Sequence, residues 1–244
     1  MPDSFYKNIL NPDEKIILFT GGGGKSSLIN RISQDCQSLE KTVIVTSVFP
    51  FNNSINAEIV ICRQFEYLKE QITHELKSKN VIFLGKEYRS NNILGYKLKE
   101  LNQIANMLEV DHIFIEADST SGKSLSSYEK LKTAYLFDIN RVVNVIGADI
   151  LNRTKNEIWI DSHDSFWDSN PVMTPPIVAQ WIKMNPNLNK LLKKVRHNTF
   201  FINKVDNIVL ENLAIPLAKQ FKINGIERVI YGSVFKSILH RVEV

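Results

Sequence analysis

The chain has 244 residues, 43% of them hydrophobic and 23% charged, and 30 basic against 26 acidic side chains leave a net charge of +4. A chain of that length buries roughly 70–75% of the surface it exposes when unfolded, so composition excludes a disordered, collagen-like or disulfide-stapled protein. It lacks the basic stripe of a nucleic-acid binder, the ~20-residue apolar run of a membrane span and the basic-then-apolar start of a signal peptide, and Cys36 and Cys62 fit no metal spacing; a cytoplasmic protein with free thiols is expected.

Apolar runs of strand length alternate with segments of helical period. Ile16–Thr20 reads as a strand and runs into four glycines; from Ser26, residues Leu28, Ile29, Ile32 and Cys36 share one helical face. Thr42–Val48 is a strand buried on both sides, and Glu58–Cys62 is a shorter one. Phe65, Leu68, Ile72 and Leu76 mark a helix, Val81–Leu84 a strand, and Leu98 to Leu108 an amphipathic helix leading into the strand His112–Asp118. Arg141–Gly147, Thr199–Asn203 and Arg228–Tyr231 complete the strands. The alternation predicts an α/β protein with a mainly parallel sheet and helices on both faces. Residues 1–244 read as one such domain. The stretch 151–198 reads as a helical insertion with all three tryptophans, a Pro171–Pro176 turn and a helix through Val178–Met184. Pro216 is expected to start or kink its helix. The basic cluster Lys183, Lys190, Lys193, Lys194 and Arg196 reads as a solvated helix face.

The strongest chemical signal is Phe19-Thr-Gly-Gly-Gly-Gly-Lys-Ser-Ser27. Gly21, Gly22, Gly23 and Gly24 let the backbone turn tightly and aim successive N–H groups at one anion, with the positive end of the following helix behind them. Lys25 adds a point charge for terminal phosphates, and Ser26, followed by Ser27, supplies a hydroxyl for magnesium. A standard phosphate loop has glycine where Phe19 stands, but the strand-loop-helix context is that of a nucleotide site. As a loop residue, Lys25 is expected to lie outside the core.

Glu116 and Asp118 end an apolar strand two residues apart, hence on one side of it. With Ser26, Asp118 is expected to hold magnesium, and Glu116 to position the attacking water. Asn203-Lys204-Val205-Asp206 follows another strand. In guanine-nucleotide enzymes an NKxD there reads the base: the aspartate accepts from two guanine nitrogens that adenine does not present, a discrimination of about 1–3 kcal/mol per unpaired buried group. The competing reading is a turn in which Asp206 caps the next helix. Gly232-Ser233 is placed to close over the base. His163 and Asp164 lie in a polar stretch with the chemistry of a metal site or of helix caps. His74, His112, His197 and His240 have no ligand spacing.

In their order and spacing these motifs resemble the YqeC family, whose members are associated with maturing the selenium-containing cofactor of selenium-dependent molybdenum hydroxylases. The resemblance rests on Gly21–Ser27, Val43–Ser47, Ile115–Asp118, Val142–Asp149, Thr174–Gln180, Phe201–Asp206 and Tyr231–Ser233. It implies a phosphate-loop NTPase fold, magnesium with GTP or ATP, and a molybdenum hydroxylase or selenium-cofactor enzyme as partner. The chain departs from the family at Ser119 and Ser126, where members favour glycine and lysine, and it lacks their His-Glu-Pro stretch. Two alternatives stand beside an NTPase. One is an ATP-dependent ligase, because TGGGGKSS is similar to the short phosphate loop of Mur-type ligases. The other is a nucleotide-gated binding protein with little turnover, serving as a switch or metallochaperone.

Overall fold

Alternation along β1 (Ile16–Gly21) sets the layers: Ile16 and Leu18 pack into one hydrophobic core, Ile17 and Phe19 into the other. The computed structural model describes residues 4–52, 59–89, 92–119, 122–129, 131, 138–154 and 171–242. In chain order the remaining strands are β2 (Val43–Ser47), β3 (Phe51–Asn52), β4 (Ile59–Ile61), β5 (Val81–Gly85), β6 (Glu87–Arg89), β7 (Asn92–Leu94), β8 (His112–Glu116), β9 (Arg141–Gly147), β10 (His197–Asn203), β11 (Arg228–Ser233) and β12 (Ile238–Arg241). Nine of them form one sheet in the order β12-β11-β10-β9-β1-β8-β2-β5-β4, parallel throughout except for the antiparallel edge strand β12. A small antiparallel sheet joins β3, β7 and β6.

One face carries α1 (Phe5–Ile9) and α2 (Lys25–Ser38), which bury Phe5, Ile9, Leu28, Ile29, Ile32 and Cys36 against β1, β2 and β8. The other carries α3 (Leu68–Glu75), α4 (Leu98–Met107), α5 (Pro175–Met184), α6 (Pro186–Leu192) and α7 (Ile208–Ile223). This is the expected α/β architecture, consistent with a phosphate-loop-like fold. Both cysteines are free and buried, and burial pushes the Cys36 thiol up to about 12. Among the described residues no helix is long and apolar enough to cross a membrane.

Several expectations are corrected. β8 stops at Glu116, so Ala117 and Asp118 lie just past the strand. Pro216 does not start its helix: α7 runs through it, held by the buried Ala214, Leu217, Ala218 and Phe221. Tertiary burial outweighs the one hydrogen bond that proline removes. Within 151–198, α5 starts on Pro175 and Pro176, where the missing N–H costs nothing. Residues 155–170, with His163, Asp164 and two of the tryptophans, lie outside the described residues. The five residues of the basic cluster are all exposed.

Candidate functional site

β11, β10, β9, β1 and β8 are consecutive parallel strands, so the segments leaving their carboxyl ends meet along one edge of the sheet. The glycine loop leaves the middle of that edge. Gly21, Gly23 and Gly24 have φ of 92°, 71° and 100°, and Gly24 is the N-cap of α2. Gly23 admits no side chain on a second count: a Cβ there would run into the backbone of Ile146 and Gly147. The loop thus delivers the first turn of α2 to the sheet edge, with Ser26 and Ser27 exposed.

Lys25 turns back into the protein and is only 4% exposed, contrary to the expectation for a loop lysine. Its Nζ lies 2.6 Å from the Gly21 carbonyl, 3.0 Å from Asp118 Oδ1 and 3.7 Å from Glu116 Oε1. Asp118 is as deeply buried. Its Oδ2 accepts from the Thr20 hydroxyl (3.0 Å), the Gly21 N–H (3.0 Å) and the Ser126 hydroxyl (2.9 Å). That carboxylate is therefore the anchor of the glycine loop as well as the partner of its lysine. The Ser26 hydroxyl faces the other acid, 3.4 Å from Glu116 Oε1. The expected Ser26–Asp118 pairing is thus replaced, in the geometry, by Ser26 beside Glu116. A cation shared by a hydroxyl and a carboxylate that still reaches solvent along one side fits that gap better than one drawn to a carboxylate already filled by donors.

Burial holds the Glu116 carboxyl above the ordinary carboxylate range; Lys25 opposes this and the neighbouring Asp118 adds to it. A raised value means that the folded state disfavours the ionised form, so stability falls as pH rises through the ordinary and then the raised value. Glu116→Gln should accordingly unfold a few degrees higher than wild type at pH 7, with the advantage gone at pH 4. Thermal denaturation at the two pH values measures this, and equal midpoints at pH 7 would contradict it.

A backbone segment that follows the acids crosses the glycine loop. Lys123 O accepts from Gly23 N (2.9 Å) and Ser124 O from Gly147 N (2.8 Å). The Ser124 hydroxyl donates to Asp149 Oδ2 (2.9 Å), which also receives Lys204 Nζ (2.9 Å), while that Nζ reaches Ser124 Oγ at 2.6 Å. Thr20, Ser124, Ser126 and Asp149 had no role in the sequence reading. Thr20 and Asp149 stood inside recognised motifs and Ser126 only as a departure from the family pattern; the fold-back that recruits the serines has no periodic signature.

Asn203 ends β10 and ties three pieces together. Its Nδ2 donates to Gly23 O (2.7 Å) and its Oδ1 accepts from Val234 N (3.0 Å). Lys204 sits at φ 64° and is drawn to Asp149. Asp206 accepts from the Ser233 hydroxyl at 2.6 Å. It is not the cap of α7: Asn207 holds that position, accepting from Leu210 N. The histidines do not gather; His112, for instance, is buried between Tyr6 and Glu14. Among the described residues no three His, Cys, Asp or Glu side chains cluster as metal ligands.

No curated protein matches the chain. A family model, YqeC protein, matches residues 17–164, which span the glycine loop, both acids and Asp149 but end before Asn203. With well over half its length matched, the chain belongs to the YqeC family.

Proposed function

We propose that the protein is a magnesium-dependent purine nucleotide-binding protein of the phosphate-loop type that hydrolyses its nucleotide, and that it serves the maturation of a selenium- or molybdenum-containing hydroxylase cofactor. The observation that carries the nucleotide reading is the convergence of Lys25, Glu116, Asp118 and Ser26 at the first turn of α2. A triphosphate is the ligand whose charge suits a helix N-terminus with a lysine, and whose metal suits a hydroxyl beside a carboxylate. Gly22, Gly23 and Gly24 present N–H groups to the phosphates, and Lys25 swings from Asp118 toward them. Ser26 and Glu116 would hold magnesium, and the chemistry it would supply is neutralisation of charge on the phosphates. Asp118 keeps the loop in shape. GTP over ATP is supported by the Asn203–Asp206 motif following β10, with Asp206 braced by the Ser233 hydroxyl. The cofactor role rests on family membership.

Calorimetric titration with magnesium and GTP or ATP, followed by assay of phosphate release, tests the reading. Absence of binding by either nucleotide would end it.

One observation favours the switch variant, with slow turnover. The Gly23 N–H, which a phosphate oxygen needs, is bonded to Lys123 O. Binding then requires the 122–126 segment to move, against its pins at Ser124 and Ser126. Ser124→Ala removes one pin, and nucleotide affinity should rise by about two- to tenfold, the equivalent of one net hydrogen bond. A titration showing unchanged or weaker binding would count against the segment as a competitor.

A further inference from the structure

Phe235 is 91% exposed, more than any other large apolar side chain among the described residues. It lies in the turn between β11 and β12, and that turn is pinned on both sides of it. Val234 N donates to Asn203 Oδ1 (3.0 Å) and Lys236 N to Ser233 Oγ (3.0 Å), while Lys236 Nζ reaches Asp206 O (2.6 Å). These bonds fix the backbone on either side of the ring. A flat apolar partner laid on that ring would take its face out of water, a gain that grows with the area covered.

The surroundings say what does. The same bonds that hold the turn hold the Asn203–Asp206 segment: Asn203 is used up bracing the turn and the glycine loop, while Asp206, held through one oxygen, keeps the other for a base edge. A purine has a polar edge and two apolar π-faces. Lys204, the other side chain of the motif able to lie along a face, is drawn off to Asp149 and Ser124. The first turn of α7, directly after Asp206 and Asn207, leaves Ile208 and Val209 66% and 64% exposed. We propose that Phe235 is the platform on which the purine base stacks while Asp206 reads its edge. This rests on the nucleotide reading above and adds to it a residue that binds the base by its face, with no sequence motif to mark it.

The test compares wild type, Phe235→Ala and Phe235→Trp for binding of GTP and of inorganic tripolyphosphate, a probe with the same charges and no base. Phe235→Ala should lose about tenfold in GTP affinity, the usual cost of one lost base–aromatic stack, and keep its tripolyphosphate affinity. Phe235→Trp should retain GTP affinity and gain an indole fluorescence, over that of the wild-type chain, that GTP quenches and tripolyphosphate does not. Wild-type GTP affinity in Phe235→Ala would overturn the platform and leave the nucleotide reading standing. Equal losses for both probes would make Phe235 a brace of the turn and also overturn it. A wild-type chain that binds neither GTP nor ATP would remove both readings.

Discussion

Lys25→Ala should lower stability by about 3 kcal/mol, at the mild end of what breaking a buried ion pair costs, and should abolish measurable triphosphate binding. The stability loss follows from where the ammonium sits. It is 4% exposed and lies 3.0 Å from Asp118, itself 2% exposed, and 3.7 Å from Glu116. Its removal leaves two carboxylates facing each other in a poorly hydrated site. The donors from Thr20, Gly21 and Ser126 remain on Asp118 and keep the cost from rising further. For a chain of this size about 3 kcal/mol corresponds to a fall of roughly 6–12 °C in Tm. Adding Asp118→Asn neutralises the stranded acid, so the double variant should recover most of the stability. It should not recover binding, because no cation is left to meet the phosphates. Denaturation curves and titrations on the single and double variants separate the two roles. An unchanged Tm in Lys25→Ala would deny the ion pair, and retained triphosphate affinity in the folded double variant would deny the phosphate site.

This site shows where a sequence stops being legible. The unit from β1 through the glycines into α2 is local, and local chemistry prescribes it: a buried β-rich run, residues that tolerate positive φ, then an apolar stripe at helical spacing. The parallel order was likewise readable from alternation, as was the carboxyl-edge placement of Glu116 and Asn203. What escaped depends on contacts distant in the chain. Asp118 could be seen as an acid near a strand end, but its load of donors comes from Thr20 and Gly21, nearly a hundred residues earlier, and from Ser126 in a loop without period. Ser26 meets Glu116 because β8 ends on that residue, two short of Asp118, so the strand rule does not apply to the second acid. Short elements such as α1, β3, β6, β7 and β12 were missed for a different reason. Two to five residues carry too little pattern, and their stability comes from partners, as in the Asp35 carboxylate that accepts from Ser4 and Tyr6 at the start of α1.

Asp206→Asn should turn a preference for GTP over ATP into a preference for xanthosine triphosphate. The argument is one of donors and acceptors. Guanine presents two N–H groups to a carboxylate, whereas xanthine carries a carbonyl where guanine has its exocyclic amine, and an asparagine amide can donate to that carbonyl. The geometry makes the exchange clean. Asp206 is held through Oδ1, which accepts from Ser233 at 2.6 Å. An asparagine can keep its own oxygen on that hydroxyl and turn its nitrogen to the base. Nor does the substitution disturb the helix that follows, since Asn207 supplies the cap of α7. The capping explanation of Asp206 is thereby removed, and any change in nucleotide preference belongs to the base contact. Matched pairs should exceed mismatched ones by about 1–3 kcal/mol, up to roughly a hundredfold in affinity. Competition binding of GTP, ATP and xanthosine triphosphate to both proteins measures it, with tripolyphosphate as the reference that should not change. Equal affinity of the wild type for ATP and GTP would strip Asn203–Asp206 of a role in specificity. The braces from Asn203 to Gly23 and from Ser233 to Asp206 would then serve only to fasten β10 and β11 to the glycine loop.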